Sequence, residues 1–474
     1  MKPLKITFLI LLNFSTILCN SQENTSLNKL KPNIIYILAD DLGFGDLSCY
    51  GQEKFSTPNI DKLAKEGMLF TQHYSGAPVC APSRSTLFTG QHTGHTAIRG
   101  NKGVEPEGDW PLPKEAFTIA ELLKSKGYAT GAFGKWGLGF PSSEGDPLQQ
   151  GFDTFYGYNS QGLAHHYYPH HLWENENKVM LTENEGANNG QYAPDLIHQK
   201  ALSFIEKHQK ESFFLYYASP LPHAELVAPK VYMDQFVGKY SPEKEYRAKP
   251  NNEGLKKGEY ASQPQSHAAF VAMITLLDDQ VGEIVAKIKE LGLEDNTIII
   301  FTSDNGPHKE GGADPDYFNS NGSLKGYKRD LYEGGIRVPM IAKWKGKITE
   351  GSNTAHISAF WDVMPTLATL TKSKIEGPID GISFLPTLLN KGNQKKHDYL
   401  YWEFHELNGR QALRQGDWKL IKYNVNKNGS YQLYNLKNDI SETNDLASIM
   451  PEKVAELSKI LESSRTESEV FQFK

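Results

Sequence analysis

The chain has 474 residues, 39% hydrophobic and 22% charged, a profile that excludes wholesale disorder and supplies enough apolar material for a sizeable core. Its formal net charge of −6, from 56 acidic and 50 basic residues without a block of like charge, argues against a nucleic-acid partner. One large domain with a smaller appended one is expected at this length.

At the N-terminus Lys2 and Lys5 precede apolar residues 6–12 and 15–18, and the chain turns polar over 20–25. This is the pattern of an export signal over 1–21 with cleavage near Ser21, and the run is too short for a retained membrane anchor. The mature protein is therefore expected to be periplasmic or secreted, with no transmembrane segment. Cys19, just after the apolar run, offers lipidation as an alternative. Of the three cysteines, Cys49 and Cys80 remain after such a cleavage, so one disulfide is the maximum. Cys49 reads as a buried thiol, because the surroundings of Cys80 point to another task.

The apolar run Asn33–Ala39, bounded by Pro32 and Asp40, predicts a strand buried on both faces. Similar runs at 128–133, 213–218 and 297–302 alternate with helical patterns at 59–66, 119–126, 195–208 and 267–291. The alternation predicts an α/β fold, a large, mostly parallel sheet with helices outside it. The polar stretch 230–265 lacks strong periodicity and reads as a surface excursion that shapes the site. Beyond a loop-rich stretch at 377–392, short strands are predicted at 399–404, 411–414, 418–423 and 431–435, then a helix over 451–463. The organisation expected is a signal at 1–21, a catalytic domain at 30–390, and a small antiparallel sheet plus helix at 391–474.

Two of the buried strands run directly into oxygen donors, Asp40-Asp41 and Asp304-Asn305. Ligands of open α/β sheets sit outside the carboxyl ends of the strands, so both pairs can converge there. Three carboxylates and an amide suit Ca²⁺ or Mg²⁺ better than zinc. Taken singly, each pair also fits an ordinary turn. The segment Cys80-Ala-Pro-Ser-Arg84 reads as a loop entering a helix, with Pro82 in the first turn. Helix amides and Arg84 there favour an anion such as sulfate or phosphate.

Cys80-Ala-Pro-Ser-Arg84 followed by Leu87-Phe-Thr-Gly90 resembles the type I sulfatase family of the alkaline phosphatase superfamily. The resemblance continues through Gly134-Lys-Trp136, Pro222-His223, Ser303-Asp-Asn-Gly306 and Leu331-Tyr-Glu-Gly-Gly-Ile-Arg-Val-Pro339. It implies that Cys80 is oxidised to formylglycine by a formylglycine-generating or anaerobic sulfatase-maturing enzyme. It also implies that Asp40, Asp41, Asp304, Asn305 and the modified Cys80 hold one cation, calcium before magnesium. Arg84 and Lys135 would then hold the hydrate and sulfate oxygens, with Asp304 as proton acceptor. His223 and Lys328 match family positions that bind sulfate and protonate the leaving oxygen.

One departure stands out: the family commonly has histidine after Gly-Lys-Trp, and here Gly137 occupies that place. His165 and His166, in a run of histidines and aromatics, are candidates to replace it or to line a sugar pocket. His308, three residues after Asn305, is a further candidate substrate contact. Glu403 and His405, on the first strand of the small domain, are placed by family architecture at the far side of the pocket. The function implied is hydrolysis of sulfate monoesters on sulfated polysaccharides or glycosaminoglycan-type sugars. The alternatives are phosphodiester or phosphonate monoester hydrolysis, or sulfated-glycan binding without catalysis.

Overall fold

The computed structural model describes residues 31–186, 188–248 and 260–474. The expected export signal, Cys19, and residues 249–259 of the polar stretch lie outside the described residues. Among those described, no helix is long and apolar enough to cross a membrane.

Eleven strands form one mixed sheet: β1 (Asn33–Ala39), β2 (Met68–Tyr74), β3 (Ala129–Lys135), β4 (Thr154–Tyr158), β5 (His171–Glu174), β6 (Asn177–Met180), β7 (Phe213–Ala218), β8 (Thr297–Ser303), β9 (Arg337–Lys343), β10 (Ser352–Thr354) and β11 (Ser358–Ala359). The order is β10-β2-β9-β8-β1-β7-β3-β4-β5-β6, with β11 also on β2. The central strands β8, β1, β7, β3 and β4 are parallel, and β9 and β5 turn antiparallel to their neighbours. The continuous apolar run of β1 follows from this position. Ile35, Ile37 and Ala39 fill a core on one face, and Ile34, Tyr36 and Leu38 fill a second on the other. Each buried isoleucine contributes roughly 1.5–3 kcal/mol.

The first core is closed by helices α1 (Pro58–Lys65), Ala193–Lys207 and the 25-residue Ser266–Glu290. The second is closed by α2 (Cys80–Thr89), Ile119–Lys124 and Val363–Thr371. The sheet is thus a filling between two helical layers, as the alternation predicted. Strands β2 and β9 were not visible in the sequence. β9 carries Pro339, which ordinarily argues against a strand inside a sheet. Here the β2–β9 register shifts between Phe70 and His73, and the paired residues skip Pro339, so its missing N–H costs no ladder bond.

The separate four-stranded antiparallel sheet comprises β12 (Leu400–Phe404), β13 (Arg410–Gln415), β14 (Trp418–Tyr423) and β15 (Ser430–Asn435), in that order. Tyr401, Leu413, Leu420 and Leu433 on one face meet Leu457 and Leu461 of the helix Pro451–Ser463. Trp402, Ala412, Ile421 and Tyr434 on the other meet Tyr74, Leu331, Ile336 and Trp361. Between the two bodies Lys419 is fully buried against Glu333 at 2.8 Å and Glu442 at 3.0 Å.

Candidate active site

The carboxyl ends of β1, β8, β3 and β7 converge, and the loop after β2 delivers α2 to the same place. Asp41 has φ +63°, left-handed backbone that aspartate tolerates better than most residues. That conformation breaks the alternation of an extended chain and lets Asp40 and Asp41 face one region together. Asp41 N–H donates to Asp304 Oδ1 at 3.1 Å, and Leu42 N–H to Ser303 Oγ at 2.9 Å, so the ends of β1 and β8 are tied. Gly134 sits at φ +116°, and a Cβ there would fall 1.9 Å from the Ala218 carbonyl oxygen. Glycine therefore lets β3 close on β7, and Lys135 ends the strand beside Asp40.

Cys80, 1% exposed, opens α2. Its Sγ lies 3.3 Å from Asp40 Oδ1 and 3.3 Å from Lys135 Nζ, and Lys135 Nζ donates to Asp40 Oδ2 at 2.6 Å. Arg84 Nε and Nη2 both donate to Asp304 Oδ2, at 3.2 and 2.9 Å, and Nη1 donates to the Lys135 carbonyl at 2.6 Å. Lys328 Nζ bridges Asp41 Oδ2 at 2.8 Å and His223 Nε2 at 2.9 Å. His223 Nδ1 donates to the Ala224 carbonyl, which can only accept, so Nε2 is left as the acceptor for Lys328. One atom from each of Asp40, Asp41, Cys80 and His223 lies within 4.8 Å of the others.

Burial raises the Asp304 carboxyl to about 7, helped by Asp40 and Asp41 and opposed by Arg84. Burial would also raise Asp40, but Lys135 and Arg84 outweigh it and hold that carboxyl below the usual range. The Cys80 thiol is pushed well up by burial and by Asp40. Such a thiol is a poor nucleophile, because reactive cysteines need the opposite shift. Asn305 Nδ2 donates to Asp41 Oδ1 at 2.6 Å, while the buried Oδ1 of Asn305 has no partner among the described residues. An unpaired carbonyl oxygen among buried carboxylates is an oxygen donor set awaiting a hard cation, and these residues fit one.

In front of His223 and Lys328 opens a cavity of about 190 Å³. His165 lines it, with its ring stacked on His223 at 4.7 Å and its buried Nδ1 without a partner among the described residues. His166 points elsewhere, its Nδ1 being 3.6 Å from Glu225. His308 is one layer behind, its ring 5.3 Å from that of His223 and its Nε2 3.4 Å from the Pro222 carbonyl, and it does not line the cavity. Glu403 and His405 do not reach it either. Glu403 is fully buried against Arg99 at 3.3 Å and Arg465 at 2.9 Å, with His405 at 2.9 Å, so the expected far wall is formed by other residues. Asn101, Lys102, Asp109, Gln161, Tyr260, Glu310 and Arg329 line it as well. The sequence named none of the seven by residue, although Tyr260 falls in the polar stretch 230–265 expected to shape the site and Arg329 adjoins Lys328. Cys49 and Cys80 are both free thiols.

Residues 32–373 match the profile of the sulfatase family. The chain belongs to the sulfatase family. Residues 326–468 match a second profile, N-sulphoglucosamine sulphohydrolase, C-terminal. This sulfatase is 32% identical to an N-acetylgalactosamine-6-O-sulfatase of Bacteroides thetaiotaomicron, over 94% of the chain and 96% of the relative. It is 32% identical to human arylsulfatase A over 82% of the chain and 74% of that protein. Among solved structures, Ps i-CgsB matches with a TM-score of 0.74 and 30% identity, covering 93% of the chain and 94% of that structure. The same protein has been solved with k-i-k-neocarrahexaose. Phosphonate monoester hydrolase of Agrobacterium radiobacter, at 18% identity and a TM-score of 0.64, shares the fold. The protein is thus a sulfuric ester hydrolase of alkaline-phosphatase-like fold, and its acidic cluster could hold a metal ion.

Proposed function

We propose that this sulfatase is an exported glycan sulfatase that removes sulfate from sulfated polysaccharide or glycosaminoglycan sugars, with N-acetylgalactosamine 6-sulfate units as leading substrate. The substrate follows the named activity of its full-length bacterial relative, and the signal at 1–21 supports export. The catalytic part would span 30–390 and the small part 391–474. The carrying observation is Cys80 held at the start of α2 between Asp40 and Lys135, with a thiol pKa moved away from reactivity. That setting favours a modified side chain over the thiol itself, and so a sulfatase-maturing enzyme as partner.

A hydrated aldehyde at position 80 would supply the attacking hydroxyl, and Ca²⁺ held by Asp40, Asp41, Asp304 and Asn305 would supply Lewis acidity. Arg84 and Lys135 fix the surrounding carboxylates and carry positive charge toward the sulfate oxygens. Asp304, one of the residues that would hold the cation, would take the proton of the attacking group. Lys328 and His223 stand at the cavity side. Lys328 places one N–H on Asp41 and one on His223 Nε2, so its third can be given directly to the departing sugar oxygen while His223 orients the ammonium. His165, which lines the cavity and stacks on His223, is the better placed of the two neighbouring histidines to contact substrate.

The test is mass spectrometry of the peptide containing Cys80 from natively matured protein, with turnover of N-acetylgalactosamine 6-sulfate measured on the same sample. Loss of about 18 Da, replacement of thiol by aldehyde, together with sulfate release supports the reading. An unmodified thiol in active protein would sink it.

A further inference from the structure

Arg329, the residue after Lys328, is not glycine yet has φ +76°. Such backbone is strained for a long side chain and persists where the surroundings over-determine it. Here they do: Arg329 N–H donates to the Pro78 carbonyl at 2.9 Å, and Arg410 Nη1 donates to the Arg329 carbonyl at 2.6 Å. The result is a guanidinium, 38% exposed, turned onto Glu310 at the cavity edge. Glu310 accepts from Tyr260 OH at 2.9 Å and lies 3.6 Å from Lys328 Nζ and 3.9 Å from His223 Nε2. A carboxylate this close to a sulfate pocket opposes an incoming anion, so the sulfate itself gives no reason for it.

We propose that Glu310 and Arg329 read the sugar of the substrate, Glu310 accepting a hydrogen bond from a hydroxyl or amide N–H and Arg329 donating to an oxygen beside it. A carboxylate accepts about four hydrogen bonds and a guanidinium donates five, so each has capacity left after their mutual contact. Sugar hydroxyls both donate and accept, which is what an adjacent acceptor and donor match. Glu310 selects for a free hydroxyl at that position and against a second sulfate. The inference rests on the sugar-sulfate reading above.

The experiment uses matured enzyme carrying Glu310→Gln or Arg329→Gly. KM is measured for whichever of N-acetylgalactosamine 6-sulfate, N-acetylglucosamine 6-sulfate and galactose 4-sulfate the unaltered enzyme turns over fastest. Two comparisons accompany it, the aryl ester para-nitrophenyl sulfate as a sugar-free substrate and inorganic sulfate as an inhibitor. Glu310→Gln is expected to raise the sugar-sulfate KM about tenfold while inorganic sulfate binds as well or better, because a repelling charge is gone. Arg329→Gly is expected to raise the sugar KM similarly and the aryl ester KM by less than about threefold. Its melting temperature should hold or rise, since glycine takes this φ without strain. Tighter binding of sugar sulfate in Glu310→Gln would reduce Glu310 to a charge effect and overturn the assignment. So would weakened binding of sugar sulfate and inorganic sulfate alike, or an unaltered enzyme that turns over the aryl ester alone. An enzyme that hydrolyses none of the esters would bring down the sugar-sulfate reading and the assignment with it.

Discussion

Arg84 places both Nε and Nη2 on one oxygen of Asp304, at 3.2 and 2.9 Å, while its Nη1 holds the Lys135 carbonyl at 2.6 Å. One planar group thus spans the carboxyl ends of β8 and β3. Lysine cannot reproduce that fork, since an ammonium is a compact point donor. Arg84→Lys is expected to lower kcat/KM by about 100-fold or more, the scale of losing a preorganised donor, with the fold retained. Steady-state kinetics and far-UV circular dichroism check it. Activity within a few-fold of the parent would mean that the fork does not organise the site.

The unpaired Oδ1 of Asn305 and the three buried carboxylates around it make cation binding a stability question as well as a catalytic one. A cation that binds only the folded state adds about 2.7 kcal/mol at 100 times its dissociation constant. Chelation is therefore expected to lower the melting temperature and remove activity, with Ca²⁺ restoring both more fully than Mg²⁺. Asn305→Ala should flatten the Ca²⁺ dependence. A melting temperature indifferent to chelator and Ca²⁺ would contradict the site.

How far the sequence revealed this arrangement depended on whether the information was contiguous. β1, β7 and β8 were legible because burial on both faces writes an unbroken apolar run. Asp40-Asp41, Asp304-Asn305 and Cys80 through Arg84 were legible because each motif lies in one stretch. Glu310, Tyr260 and Asn101 were not, being single polar residues on loops that only the fold brings together. His165 and His166 could not be told apart either. The short helix Gln161–Ala164 and the turn after it send neighbouring rings to the cavity and to Glu225. Pro339 hid β9 by a rule that holds except at irregular register.

Lys419 is fully buried between Glu333 and Glu442, at 2.8 and 3.0 Å, where the small sheet meets the large body. Removing the cation leaves Glu333 with Tyr74 and Arg337 and Glu442 with the Glu333 N–H, but takes away the charge shared by the two buried carboxylates, and breaking one member of a buried pair costs roughly 3–5 kcal/mol. Lys419→Met is expected to lower the unfolding free energy by about 3 kcal/mol, measured by urea denaturation. A change under about 1 kcal/mol would show that the network is not a fastening of the sheet.

His397 lies 2.8 Å from the buried carboxylate of Asp362. Burial alone would lower its pKa, but Asp362 outweighs burial and raises it above the ordinary value. A raised histidine binds its proton more tightly folded than unfolded. Its stabilisation is therefore complete below the unfolded pKa of about 6.5 and fades as pH rises through the folded one. The stability gap between the parent and His397→Gln should be about 1 kcal/mol at pH 5.5 and shrink by pH 8.5, by thermal or urea unfolding at each pH. A gap that widens with pH would reverse the assignment of charge.

Gly137 stands where the resemblance to the family leads to an expected histidine, and the structure gives that position a physical context. Its φ is +75°, and a Cβ there would come 3.1 Å from Cγ of Gln161. The Gln161 amide donates to Asn101 Oδ1 at 3.2 Å, and that oxygen also accepts from Ala81 N–H at 3.1 Å, beside Cys80. Space next to Gly137 is therefore taken by a side chain tied to the start of α2. Gly137→Ala is expected to cost about 1–2 kcal/mol, mostly from the backbone conformation. Gly137→His, which restores the common family residue, should cost more, because Gln161 must also move. Combining it with Gln161→Ala would recover the packing part and leave the backbone part. Urea denaturation of the three variants separates these contributions. Parent-like stability in Gly137→His would show that the site can accept the family histidine after all, and that Gln161 is not what keeps it out.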